Sequence, residues 1–238
     1  MSFSLETWWL IPLLVTSMTG VLCPAIGTIL ITHKRLLQVN LISHSVVPGL
    51  AIALALGIDP GIGGVISGLV GYLIAERFAQ KRNENFDAII NTVLAGSLGL
   101  GVLLIPILGI RIDLEAVLFG DLLTSNWIDL SRTAIGFTIF SLVMIFTYRQ
   151  VVHIGLDPEG AASNGVKVST IRFILGFSTA LVIVSAMSAV GIIIVISLLS
   201  APSLLGLIKS RNLYISMIRS SIFGLIVSLL GFLIAMKL

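Results

Sequence analysis

The sequence predicts an all-α polytopic membrane protein of about eight transmembrane helices, and three observations carry that reading. Only 11% of the 238 residues are charged while 57% are hydrophobic, and the mean hydropathy of +1.12 lies far above that of soluble domains. Polar and turn-rich breaks divide the chain into apolar runs, most of them near the ~20 residues a helix needs to cross hydrocarbon. The connections are short, so residues 1–238 read as a single transmembrane domain without room for a soluble catalytic one.

The first span is placed at Trp8 to Ile31, with Trp8 and Trp9 as interfacial anchors at its start. No cleavable leader is expected, because the first basic residue follows this apolar run instead of preceding it. The lone Cys23 excludes an intrachain disulfide and any multi-cysteine metal site, and reads as a small buried apolar residue.

The second span, Val39 to Gly57, is the most informative because it contains Asn40-Leu-Ile-Ser-His44-Ser-Val-Val-Pro48-Gly49. A helix in hydrocarbon tolerates few such groups. Asn40 and His44 share a helix face and can offer lone pairs to one small ligand. Pro48 removes the hydrogen bond that the His44 carbonyl would accept, and broken helices in transporters use freed carbonyls of this kind for ions.

The third span, Ile62 to Phe78, has small residues at four-residue spacing, Gly64/Gly68 and Ser67/Gly71, which let a neighbouring helix approach closely. Gly96, Gly99 and Gly101 repeat that signal more weakly in the fourth span, Ile89 to Leu108, which Pro106 kinks or ends near the outer face. The stretch around Leu114 to Leu123 reads as a short amphipathic element, followed by Trp127 as an interfacial anchor. After the fifth span, Thr133 to Tyr148, Pro158 opens a short surface helix, Ala161 and Ala162 favour it, and Gly165 closes it. The sixth and seventh spans, Ile171 to Met187 and Val190 to Ile208, meet at the weakly marked break Ser188-Ala-Val-Gly191, and the eighth runs from Leu213 to Ala235.

Basic residues orient the chain. Lys34, Arg35, Arg77, Lys81, Arg82, Arg149, Lys167, Arg172, Lys209, Arg211 and Arg219 fall on one side of this scheme, leaving Arg111, Arg132 and Lys237 for the other. The richer side is read as cytoplasmic, with both termini facing outward. This bias accounts for the pI near 9.3 and implies no nucleic-acid role. Glu6, Asp59, Asp113, Glu115, Asp121 and Asp129 then lie outside, where an acidic mouth suits a cation, although solvated loops explain each residue singly. His33 and His153, among basic residues at cytoplasmic helix ends, are expected to be solvated.

An enzyme is not expected. The chain has no phosphate-binding loop, no Gly-x-Ser-x-Gly and no His-Glu-x-x-His. Ser43 and Ser45 are too near His44 in sequence to share its helix face as nucleophiles.

Four motifs, in order, resemble one family. Glu159-Gly160-Ala161-Ala162-Ser163-Asn164-Gly165 resembles the Glu-Ala-Ala-x-x-x-Gly coupling motif of ATP-binding-cassette importer permeases, with Gly160 replacing the first alanine. Asn40 to Gly49 resembles the second-helix signature of the manganese, zinc and iron branch of those permeases. Leu118-Phe119-Gly120-Asp121, and Val190-Gly191-Ile192 through Leu198-Leu199-Ser200-Ala201-Pro202, are similar to further signatures of the branch. The resemblance runs from about Trp9 to Leu238.

It implies a type II importer-like permease in a prokaryotic plasma membrane, a second copy about a two-fold axis, surrounding lipid, cytoplasmic ATPase subunits and an extracytoplasmic metal-binding protein. His44 and Asn40 would meet the transported metal. Asp157, Glu159, Ala161 and Gly165 would belong to the coupling helix at about 157–165. Asp121 reads as a guide for cations in the outer vestibule, or as a helix-end cap or local salt-bridge partner. No permanently bound cofactor is implied. Most members carry aspartate where this chain has Asn40, which keeps an oxygen ligand but loses a charge. The Ser-His-Ser-Val-Val-Pro-Gly form is closer to manganese-type members, and an amide oxygen without sulfur ligands suits a hard cation. Manganese is therefore preferred over zinc or iron. The rivals are an ion-gradient-driven transporter or channel, which has no use for a docking helix, and a membrane scaffold, which needs no polar internal path.

Overall fold

In a computed structural model the protein is described over residues 9–82, 86–110, 120, 125–210 and 212–237. Among these residues the chain forms nine helices: α1 (Leu10–Thr32), α2 (Leu37–Ala55), α3 (Pro60–Arg82), α4 (Phe86–Ile107), α5 (Trp127–Leu156), α6 (Pro158–Ser163), α7 (Val168–Val190), α8 (Ile192–Leu207) and α9 (Leu213–Ala235). Seven are long and apolar enough to cross a membrane, and α8, with 16 residues, is shorter.

Local chemistry sets the boundaries. Pro60 opens α3, where a missing N–H costs nothing, and α4 ends one residue after Pro106. The fifth helix runs well beyond the expected Thr133–Tyr148, reaching 30 residues. At its start, Asn126 and Asp129 form a reciprocal capping box, so the helix begins before its apolar run does. The unbroken stretch near residue 190 is cut by Gly191, whose φ of 87° no other residue type adopts cheaply. The amphipathic element expected at Leu114–Leu123 lies outside the described residues, Gly120 excepted.

Helices α1, α2 and α7 are mostly buried and form the centre. Helix α1 packs on α9, α8, α5 and α7, and α2 packs on α3, α4, α7 and α8. Close approach comes from small residues. Gly49 of α2 faces the backbone of Gly63 on α3, and a Cβ on either would overlap the other's carbonyl oxygen. Gly68 sits against Ile42, Gly71 against Ser45, and the Ser67 hydroxyl donates to the Ser45 carbonyl. The four-residue spacing in α3 is therefore the α2 seam. In α4 only Gly101 is used this way, against Val47 and Pro48, whereas Gly96 and Gly99 face open space.

On the other side, Gly27 of α1 meets the Leu199 backbone of α8, and Gly20 meets Gly224 and Ser228 of α9. Hydroxyls reinforce this seam: Ser203 Oγ donates to the Pro24 carbonyl (2.8 Å), Thr28 Oγ1 to Ser220 Oγ (2.7 Å) and Ser221 Oγ to the Val21 carbonyl (2.9 Å). Cys23 is fully buried in the hydrophobic core and bonded to no other cysteine.

These seams make a paired prediction. Gly49→Ala should lower stability by about 1–3 kcal/mol, because the added methyl has nowhere to go. Gly96→Ala should be neutral or stabilise by up to about 1 kcal/mol through helix propensity. Unfolding midpoints of the two variants in detergent, compared with wild type, check both signs.

Candidate functional site

Asn40 and His44 lie one turn apart in the first half of α2, and both are half-buried. The face of α2 turned to α3 comprises Ile42, Ser45, Val46, Gly49 and Ala53. Asn40 and His44 are off that seam, so neither is consumed in holding α2 to α3. The His44 Nδ1 atom is buried without a hydrogen-bond partner, and three more such polar atoms lie on α2: Gln38 Nε2, Ser43 Oγ and Ser45 Oγ. Orphaned buried polar atoms are costly, and four on one membrane helix mark it as a polar element within hydrocarbon. Pro48 does not break α2, which stays helical to Ala55.

The two ligand-type side chains offer one imidazole nitrogen and one amide oxygen, both neutral. Among the described residues no cluster of three His, Cys, Asp or Glu exists that could hold a metal ion. A pair of neutral ligands can contact a dication in passing without trapping it, because a neutral pair lacks the Coulomb attraction of a carboxylate, worth several kcal/mol at 4 Å even with an effective dielectric of about 20. Asp121 lies outside the described residues.

Two distant motifs of the sequence meet at the end of the fold opposite the basic residues. Gly120, with φ 66°, lies directly on the Val190–Gly191 peptide, and a Cβ at 120 would come within 2.5 Å of the Gly191 nitrogen. Nearby acidic groups are locally engaged. Asp129 caps α5, and Asp59 pairs with Arg132 and accepts from the Gly61 N–H at 2.7 Å. Desolvation alone would raise the Asp59 pKa, but the Gly61 hydrogen bond and the Arg132 charge outweigh it and hold the carboxyl below its ordinary value. The acidic mouth expected from sequence is thus partly neutralised at its described residues.

At the basic end, α6 stands as a single surface turn. Asp157 is its N-cap, accepting from the Gly160 N–H at 2.9 Å. A Cβ at position 160 would overlap the Asp157 carboxylate, which explains the glycine there. Ala161 is fully buried and anchors the turn against the core, while Glu159 is exposed. Gly165, with φ 80°, turns the chain so that the Val166 N–H returns to the Ala161 carbonyl at 3.0 Å. Beside α6, between the ends of α1 and α5 and the start of α9, lies a cavity of about 720 Å³ lined by His33, Tyr148, Arg149, Gly155 and Asn212. Tyr148 and Tyr214 meet edge to face at its wall, with centroids 6.4 Å apart.

His33 corrects an expectation, because it is not a solvated surface residue. Its Nε2–H donates to the Val151 carbonyl at 3.0 Å, and its ring covers Gly155. Burial, aided by the nearby Arg35 and Arg172 charges and despite that hydrogen bond, lowers its pKa from 6.5 to about 4. His153 is half-buried.

Sequence reasoning missed Glu76. This carboxylate is buried at the basic end of α3, where Arg35 reaches it with Nη1 at 2.6 Å and Nη2 at 3.4 Å, and Arg172 with Nη1 at 3.6 Å. Tyr72 Oη donates to the Arg172 carbonyl at 2.9 Å, its ring lying over Gly176. Removing one partner of a buried ion pair typically costs about 3–5 kcal/mol, so this cluster ties α3 and α7 to the start of α2. An acid one turn inside a span's end was the available signal, and Arg35 and Arg172 had been counted only as markers of sidedness.

The His33 environment has a pH consequence. Between pH 6.5 and about 4 the unfolded chain binds a proton at His33 that the folded protein refuses, so this group removes stability as pH falls through that window. His33→Gln, which keeps a donor for Val151 but does not titrate, should show a shallower loss of thermal midpoint from pH 7 to 5 than wild type.

Residues 9–238 match the ABC 3 transport family. The chain is 30% identical to the manganese transport system membrane protein MntC of Halalkalibacterium halodurans, over 90% of this chain and 74% of that protein. It is 31% identical to the high-affinity zinc uptake system membrane protein ZnuB of Haemophilus influenzae, over 82% of this chain and 75% of that protein. Its fold superposes on PsaBC from Streptococcus pneumoniae, solved in complex with Fab, with a TM-score of 0.84 at 27% identity, covering 95% of this chain and 82% of that one. The chain belongs to the ABC 3 transport family and is a multi-pass membrane permease.

Proposed function

We propose that this member of the ABC 3 transport family is the transmembrane subunit of an ATP-driven importer of divalent transition metal, with manganese preferred over zinc or iron. The carrying observation is the Asn40/His44 pair on a half-buried face of α2, with His44 Nδ1 unpartnered, in a helix otherwise built for packing. Relatives named for manganese and for zinc support the metal class. The neutral oxygen and single nitrogen of the pair favour the harder ion.

In this reading the basic end faces the cytoplasm, both termini face outward, and separate ATPase subunits grip α6. Exposed Glu159 on a turn pinned by buried Ala161 suits a docking peg, since the anchor fixes its position while the face stays open. Two permease copies enclose the path between them, and an extracytoplasmic binding protein delivers the ion. Asp121, outside the described residues, is assigned here as a guide for cations in the outer vestibule. A gradient-driven transporter has no need of such a peg, and no observation favours one.

Each step has its own test in liposomes with the ATPase and binding protein. His44→Ala should reduce manganese uptake at least about tenfold, the loss of about 1.4 kcal/mol or more of ion stabilisation, without impairing membrane insertion; uptake at the wild-type rate removes His44 from the path. Asn40→Asp should strengthen ion retention and slow turnover. Glu159→Lys should leave the permease folded but abolish ATP-driven uptake and co-purification of the ATPase, and undiminished coupling would disqualify α6 as the docking element.

A further inference from the structure

We propose that the cavity at the basic end binds the phosphate headgroup of an anionic phospholipid, a ligand separate from the transported ion. Its depth in the membrane follows from α5. Tyr148 lies about 20 residues past Trp127, which at 1.5 Å per residue is about 30 Å, the thickness of the hydrocarbon core. With Trp127 at one interface, Tyr148 and Arg149 stand at the other, where the lipid phosphates begin. Tyr214, edge to face with Tyr148, shares that level, and tyrosines favour this boundary because the ring sits in apolar surroundings while the hydroxyl stays wet.

The lining suits an anion carried on an apolar stem. No Asp or Glu is among the lining residues, and Arg149 is the one Lys or Arg. Arg149 is exposed and makes no hydrogen bond or ion pair among the described residues. Its guanidinium fork therefore remains open for a phosphate, which it can take through two oxygens at once. Asn212 stands at the N-cap of α9 yet makes no capping bond with its side chain, so its amide is a second uncommitted donor beside the two tyrosine hydroxyls. Leu207 and Leu213 supply an apolar wall for the glycerol and first methylenes. A soluble phosphate shares the recognition chemistry but has no use for that wall or that depth.

Charge around the cavity selects an anionic lipid over a zwitterionic one. Lys34 and Lys209, next in the chain to the lining residues His33 and Ser210, are exposed and have φ of 57° and 54°. Glycine fills such left-handed positions at least cost, yet here both hold a cation beside the cavity. A choline or ethanolamine group would bring a further positive charge among them.

The probe is dioleoyl phosphatidylglycerol, titrated into the whole permease in neutral detergent, with retained lipid counted by native mass spectrometry. It should bind more tightly than dioleoyl phosphatidylcholine and raise the thermal midpoint, as any ligand of the folded state does. Arg149→Gln should weaken phosphatidylglycerol binding about tenfold, as the loss of one charge-assisted hydrogen bond implies, while its midpoint without the lipid stays at the wild-type value. Arg77→Gln, which removes the same charge from an exposed site on α3 outside the cavity, should change binding less than about twofold. Undiminished binding in Arg149→Gln overturns the proposal, as does equal weakening in both variants, since the lipid would then read net charge alone. Phosphatidylcholine bound as tightly as phosphatidylglycerol overturns it too. Displacement of the lipid by inorganic phosphate would make this a site for a soluble ligand, and displacement by the ATPase would assign the cavity to that partner; either result overturns the lipid assignment.

Discussion

Inside a bilayer the hydrophobic effect cannot drive one helix onto another, so a polytopic fold depends on how closely backbones approach and on where each polar group finds a partner. Here the approach is made at a few glycines. Gly49 and Gly63 bring α2 onto α3, Gly27 and Gly20 bring α8 and α9 onto α1, and Gly176 receives the Tyr72 ring between α3 and α7. Where backbones touch, serine and threonine hydroxyls bond across the seam or back into their own helix, as Ser203, Ser221 and Thr28 do. The polar atoms without partners are then conspicuous, and four of them lie on α2.

That contrast links packing to chemistry. The helix that sits tightest on α3 also carries the imidazole and amide that touch no protein group in the seam, so the tight face fixes the position of the open one. In the proposed importer, the Asn40/His44 pair would take its geometry from this rigidity instead of from a closed coordination shell.

Much of this was legible in the sequence because its causes are local. Four-residue spacing of small residues marked the α3 seam, a proline after an aspartate marked α6, and the apolar runs marked the spans. What escaped notice depends on partners distant in sequence. Gly96 and Gly99 resemble packing glycines but have no neighbour to meet, and only the fold shows that Gly101 does. His33 appeared solvated among basic residues until α5 brought Val151 over it, and Glu76 needed arginines from 41 residues upstream and 96 downstream of it to become a cluster. The capping box that lengthens α5 is readable in Asn126 and Asp129, but both precede the apolar run that begins near Thr133.

The length of α5 has a geometric consequence. Thirty helical residues span about 45 Å, whereas the hydrocarbon core is about 30 Å thick. Trp127, 58% exposed, suits the interface at one end, so the last two or three turns, ending at the 82%-exposed Leu156, protrude beyond the acyl chains like a stalk. The peg at α6 hangs from that stalk, at or below the level of the phosphates. In the proposed importer, an ATPase gripping it would work clear of the lipid layer: its footing would be protein alone, indifferent to which headgroups surround it, and its stroke would be delivered at the end of a lever already longer than the membrane it spans.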